Sequence, residues 1–252
     1  MISTAWRLMM AIALCGLLPQ CTGGTPQAPT SEPTTSSRRP APEPAEVTGV
    51  TAAELGSTWH RGCPVAPAQL RRVAVTHLGF DDRPHRGELI VHQELVPQVV
   101  AVFDRLYRLE FPIERMQSVA RYRGGEDELS MEDNNTSAFN CRRIPGSGTW
   151  SPHAYGRAID VNPLLNPWVE HDTFAPRNAG VYLNRRRIEP GLLHAGDAAV
   201  RAFTDAGWRW GGAWKSPVDY QHFESPTPAA PTAPATGPPA RPPRPPAPAT
   251  GG

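Results

Sequence analysis

Between residues 94 and 109 the apolar side chains Leu95, Val99, Phe103 and Leu106 recur at steps of three and four, so they share one helical face. That segment is predicted to be an amphipathic helix packed on a core. Residues 87–92, Gly-Glu-Leu-Ile-Val-His, predict a strand, and residues 112–119 a second one. A second helix is expected over 195–206, ending at Gly207, with short strands at 157–161 and 208–210. Helices and strands do not alternate as a doubly wound parallel sheet requires. The expected fold class is α+β: a small, mostly antiparallel sheet with flanking helices and one open face.

Both ends lack such a pattern. Arg7 followed by an apolar run from Leu8 to Leu18 has the layout of an export signal, too short to span a membrane as a mature helix. Residues 1–21 are read as that signal, and two readings of its end stay open. Cys21 can be the lipid-modified first residue of a lipoprotein, although Pro19 and Gln20 fit the usual small residues before such a cysteine poorly. Ordinary cleavage and secretion is the alternative. Residues 22–50, rich in Pro, Ser and Thr, are expected to form an extended linker. Residues 225–252, rich in Pro and Ala, are expected to be a disordered tail. The 30 prolines of the 252-residue chain concentrate in these ends, which leaves 51–224 as the one domain able to bury a core.

A formal net charge of +1 and the lack of a basic stripe exclude nucleic acid as a partner. A membrane would be met only through a lipid on Cys21. Of the 4 cysteines, Cys63 and Cys141 fall in the domain. In an exported protein such a pair reads as a disulfide, worth roughly 4 kcal/mol by loop closure. The rival reading, Cys141 as a nucleophile paired with His153, fails because oxidation would consume the thiol.

The densest chemistry lies in two segments, Ser151-Pro-His-Ala-Tyr-Gly-Arg-Ala-Ile-Asp160 and Asp219-Tyr-Gln-His-Phe-Glu224. They offer two imidazoles and a carboxylate for one metal ion, with a further carboxylate as a base: the donor set of a hydrolytic zinc centre. His153 and Asp160 are an odd number of residues apart, so on one straight strand they would face opposite sides. A turn is required between them, and Gly156 is free to take a positive φ there. Beyond it Ala158 and Asp160 share a face, and Pro163 ends the strand. Asp219 and His222 converge only on a tight turn, which Pro217 favours. Phe223 is expected in the core, with Ser151 and Glu224 supporting the ligands; a carboxylate can orient a ligating imidazole.

The pattern S-x-H-x-x-G-x-A-x-D followed by D-x-x-H-F-E resembles the LAS-type, hedgehog-like zinc peptidases that cut peptidoglycan stem peptides, both D-alanyl-D-alanine carboxypeptidases and L-alanyl-D-glutamate endopeptidases. The resemblance spans residues 61–224 and includes 134–142 and 207–214. It implies His153, Asp160 and His222 as zinc ligands, Asp219 as the catalytic carboxylate and stem peptides as the partner. Carboxypeptidases of glycopeptide resistance carry E-x-x-H, whereas Asp219 and Gln221 look more like the endopeptidase branch. Cleavage between L-Ala and D-Glu is therefore expected, with removal of a terminal D-Ala as the alternative. A reading of another class is a cell-wall-binding module that keeps the metal without turnover; the retained Asp219 argues against it.

Arg142 is a candidate fork for a substrate carboxylate, set against an equally plain reading as a structural salt bridge. Arg123 is a weaker candidate of the same kind. Trp214 is a candidate cleft wall. His60, His77, His85, His92, His171 and His194 stand in no ligand spacing and read as surface or satisfied histidines.

Overall fold

The structure, a computed structural model, describes residues 39–226. The expected signal at 1–21, the first part of the linker and nearly all of the tail lie outside the described residues. The chain divides into two units after Pro40. In chain order the second unit contains β1 (Glu46–Gly49), α1 (Ala52–Leu55), β2 (Leu70–Leu78), β3 (Pro84–His92), α2 (Val96–Arg108), β4 (Arg115–Met116), α3 (Asp127–Glu132) and β5 (Asn135–Thr136). Then come β6 (Ala158–Asp160), β7 (Trp168–Glu170), β8 (Thr173–Ala175), α4 (Ala198–Thr204), β9 (Arg209–Trp210), β10 (Val218–Asp219) and β11 (His222–Glu224).

The class is α+β with small antiparallel sheets, divided into three three-stranded pieces, β1-β2-β3, β10-β7-β8 and β6-β11-β9, beside a parallel pair β4-β5. α2 lays Val99, Val102, Phe103 and Leu106 on Val73, Val75, Leu89 and Val91 of the first sheet. Phe203 of α4 bridges outward from there. It meets Phe103 edge-on at 6.2 Å and stacks on Phe223 of β11 at 3.9 Å. One aromatic column thus anchors the strand that carries His222.

Several elements depart from the periodicity. β1 falls inside the expected linker at 22–50; all four of its residues are exposed, so it has no alternation to read. It is held by backbone pairing with β2, Val47 opposite Val73. β2 is not announced by its sequence, because Arg71 and Arg72 interrupt the apolar run. The structure gives both heads partners at the sheet rim: Arg71 to Gln93 at 2.9 Å, and Arg72 to Glu88 at 3.5 Å and Glu54 at 3.4 Å. The strand expected over 112–119 shrinks to Arg115–Met116, because the Asn135 side chain takes the Gln117 N–H at 2.9 Å and Ser118 then caps a 3-10 turn.

His77 of β2 is buried beside His85, ring centroids 5.8 Å apart. Burial pushes its imidazole down to about 4, His85 adds to this, and Asp81 opposes it. The folded value lies below the ordinary ~6.5 of an unfolded histidine, so between these values the unfolded chain binds the extra proton. Stability contributed by neutral His77 is present above pH ~6.5 and lost as pH falls toward 4, by up to about 3 kcal/mol. Urea unfolding at about pH 7 and about pH 4.5 is expected to show a smaller stability difference in His77→Gln than in the parent. Equal differences would remove His77 as the source.

Candidate metal centre

His153 owes its position to local hydrogen bonds. The Ser151 hydroxyl accepts the His153 N–H at 3.3 Å and opens a 3-10 turn, Pro152–Tyr155. Gly156 closes that turn at φ 64°, and its carbonyl accepts the His92 N–H of β3 at 2.9 Å. A β-carbon at 156 would lie 2.7 Å from the His92 nitrogen, so the glycine is required twice over. His153 Nδ1 donates to the Ala138 carbonyl at 2.5 Å, which leaves the Nε2 lone pair to face inward.

Asp160 and His222 face each other across the β6–β11 register, while their neighbours Ile159 and Phe223 are fully buried in the core. Glu224 Oε2 lies 3.4 Å from His222 Nε2, and the carboxylate is itself held by Arg209 at 2.6 Å. The Nε2 proton is thereby assigned to Glu224, and Nδ1 presents its lone pair to the site. His153 Nε2 and His222 Nδ1 are 3.2 Å apart, and the Asp160 oxygens lie 3.1 Å from the first and 3.0 Å from the second. Three buried donors therefore point lone pairs at one another, which only a shared cation or proton can reconcile. The edges approach the roughly 3.3 Å expected for ligands about 2.0–2.1 Å from a tetrahedral zinc ion. The donor set fits that metal.

The electrostatics agree. Burial works against the Asp160 carboxylate, but His153 and His222 hold it well below the usual range. Burial likewise opposes the His222 imidazolium, yet Asp160 and Glu224 outweigh it and raise the group to about 10. The cluster demands positive charge.

Asp219 enters from β10, opposite Trp168 of β7. Its Oδ1 is buried and has no protein partner. Burial pushes its carboxyl up to about 7, His222 and His153 oppose this, and Asp160 adds to it. A dication at the three ligands would favour the carboxylate that a base needs. The turn after β10 is pinned by the Trp210 indole N–H on the Tyr220 carbonyl at 2.9 Å and by Arg185 stacked 4.2 Å over the Tyr220 ring. Gly211 lies directly beneath. A β-carbon there would sit 2.6 Å from the Asp219 carbonyl oxygen, 2.9 Å from Asp219 Cβ and 3.3 Å from His222 Cβ.

Gly211→Ala is accordingly expected to push Asp219 out of place. A displacement near ~1 Å costs about 10²-fold in kcat, against a stability loss of about 1–3 kcal/mol. Steady-state kinetics beside thermal melting check this. A variant with parental kcat would show that Asp219 tolerates the shift.

Arg142 stands in the salt bridge that the plainer of its two readings expects. Its Nη2 binds Asp127 of α3 at 2.6 Å, while its Nε is buried without a protein partner. Burial works to lower its proton affinity, but Asp127, Asp160 and Asp219 outweigh it, which places the guanidinium within electrostatic reach of the centre. The Trp214 ring lies 5.4 Å from the His222 ring, tilted and partly exposed. Cys63 and Cys141 are bonded, with α-carbons 5.9 Å apart. Arg123 is exposed on a 3-10 turn.

Asp127, Gly211, Arg209 and the Ala138 carbonyl escape a sequence reading. Asp127 and Arg142 meet only through the fold, and Ala138 contributes a backbone atom that no residue type marks. His60 lies against the disulfide. Among the described residues it forms, with Cys63 and Cys141, a second group of metal-capable side chains, but there the two sulfurs are bonded to each other.

Residues 145–225 match the family model described as D-alanyl-D-alanine carboxypeptidase. That stretch contains His153, Asp160, Asp219, His222 and Glu224. No curated protein and no solved structure matches the chain.

Proposed function

We propose that the chain, a zinc metallopeptidase acting on peptidoglycan by the family that residues 145–225 match, removes the terminal D-alanine of stem peptides. The observation that carries the metallopeptidase reading is the convergence of His153 Nε2, His222 Nδ1 and the Asp160 carboxylate at 3.0–3.2 Å in a buried cluster, and the description of the matched family favours the terminal D-alanine. These three would hold the metal. Zinc bound there supplies a Lewis acid and a water acidic enough to ionise near neutrality.

Asp219 takes the proton of the attacking water and returns it to the leaving amine. Glu224, fixed by Arg209, holds His222 in the tautomer that presents Nδ1. Ser151 sets the turn that delivers His153. Arg142, steadied by Asp127, pairs with a substrate carboxylate, the group that marks the end of a stem peptide. Trp214 forms the cleft wall beside His222.

The D-x-x-H form of the second segment, with Gln221, favours a second reading, cleavage between L-Ala and D-Glu. The carboxylate read by Arg142 is then that of the D-glutamyl residue. Mass spectrometry of digested muropeptides separates the two: loss of one alanine from the C-terminus, or scission after the first L-alanine. A chelator is expected to stop either reaction. Muropeptide binding with no chelator-sensitive product would overturn both and favour a binding module.

A peptidoglycan substrate puts the site of action in the cell envelope. The export signal at 1–21 is the proposed route there, and a lipid on Cys21 a proposed anchor. No helix among the described residues is long and apolar enough to cross a membrane.

A further inference from the structure

We propose that Cys63–Cys141 is a thiol–disulfide exchange site for a dithiol, with Cys63 as the sulfur attacked and His60 as the group that receives the Cys141 thiolate. One residue, His60, places a nitrogen beside each sulfur of the bond. The His60 backbone N–H points at Cys63 Sγ at 3.2 Å, and His60 Nε2 lies 3.7 Å from Cys141 Sγ. His60 Nδ1 donates to the Arg61 carbonyl at 2.9 Å, which fixes the ring with Nε2 toward the sulfur. A bond that only staples two segments needs neither contact.

The two sulfurs differ in access. Cys141 is buried at 8% exposure, whereas Cys63 is partly exposed on a turn whose His60, Arg61 and Gly62 are all exposed. An incoming thiolate therefore reaches Cys63, and Cys141 must leave. A thiol beside an imidazolium has a lowered pKa, and a thiol of lower pKa leaves faster. The charged and titratable groups around the pair are Arg61 on the turn, Arg142 with its partner Asp127, Arg143 stacked 4.2 Å over the Trp150 ring, and Tyr155.

The reaction balances without a further oxidant or reductant. The first thiolate of the dithiol bonds to Cys63 Sγ, the Sγ–Sγ bond breaks, and its electron pair goes to Cys141, which takes the proton from His60 Nε2. The second thiol of the reagent then displaces Cys63 from the mixed disulfide. The dithiol ends as a disulfide, two electrons poorer, and the protein holds two thiols.

The test is the rate at which dithiothreitol releases thiols from the folded full-length chain. His60→Gln is expected to slow reduction about tenfold, after correction for the reagent's own ionisation. The gap between the proteins should widen as pH falls. Equal rates at all pH values would overturn the proposal. A second measurement tracks Cys141 alone by its thiolate absorbance in the far ultraviolet in Cys63→Ser with Cys15 and Cys21 also changed to serine. Its titration is expected below the ordinary ~8.5 with His60 present and at or above it in the variant that also carries His60→Gln. Should Cys63→Ser not fold, the pH dependence of Cys141 alkylation in the reduced parent chain and in reduced His60→Gln, mapped by mass spectrometry, gives the same comparison. Identical titrations with and without His60 would end the idea. None of these readings depends on peptidase activity, so their failure leaves the metal centre untouched.

Discussion

Asp219→Ala is expected to lower kcat by about 10²–10⁴-fold while the purified protein keeps close to one equivalent of zinc. The separation follows from where each group stands. The three atoms that converge belong to His153, Asp160 and His222, and each is oriented by something other than Asp219. His153 is held by the Ala138 carbonyl, His222 by Glu224, and Asp160 by its place in β6. Removing the Asp219 carboxyl therefore leaves the ligand set standing. What is lost is the proposed proton carrier, a carboxyl whose buried Oδ1 has no hydrogen-bond partner in the protein. His153→Ala gives the contrast, since there both metal and turnover should go. Metal analysis beside steady-state kinetics decides between the roles. An Asp219→Ala protein that loses its zinc would make Asp219 a ligand and end its assignment as the base.

The centre is legible in the sequence because its geometry is local and its residue types are chemical. A turn has to fall between His153 and Asp160, and Gly156 is there at φ 64°. Alternation along β11 puts His222 and Glu224 on one side and Phe223 in the core, and all three stand so. The α2 face is legible for the same reason, as four apolar residues at helical spacing. What is not legible depends on contacts between distant segments. β1 has no buried face, β2 carries two arginines whose partners lie elsewhere, and Asp127 reaches Arg142 only once α3 is in place. The single expected sheet divides because its strands are mostly two or three residues long and turn off into 3-10 segments. That brevity comes from side chains such as Asn135 and Ser118, which take the backbone donors a longer ladder would use.

Cys63→Ser is expected to destabilise the folded chain by about 4 kcal/mol, the loop-closure entropy returned to the unfolded state by a bridge of this span. The bridge joins residues 78 apart in sequence. On one side lies the turn that Trp59 closes by donating to the Val65 carbonyl at 3.0 Å; on the other is Cys141, whose N–H reaches the Thr58 carbonyl at 2.9 Å. Backbone contacts thus survive the substitution, and the loss should appear as a lower urea midpoint rather than as a different fold. Arg142 keeps Asp127 but loses the covalent neighbour that limits its backbone. KM is therefore expected to rise more than kcat falls, the signature of weakened substrate binding rather than of damaged chemistry. A fall in kcat alone would detach Arg142 from the substrate carboxylate. Alkylation of the unfolded, unreduced parent protein, mapped by mass spectrometry so that Cys15 and Cys21 are counted apart, should leave Cys63 and Cys141 unmodified; modification of both would show that the bridge, and with it the predicted stability loss, does not exist in solution.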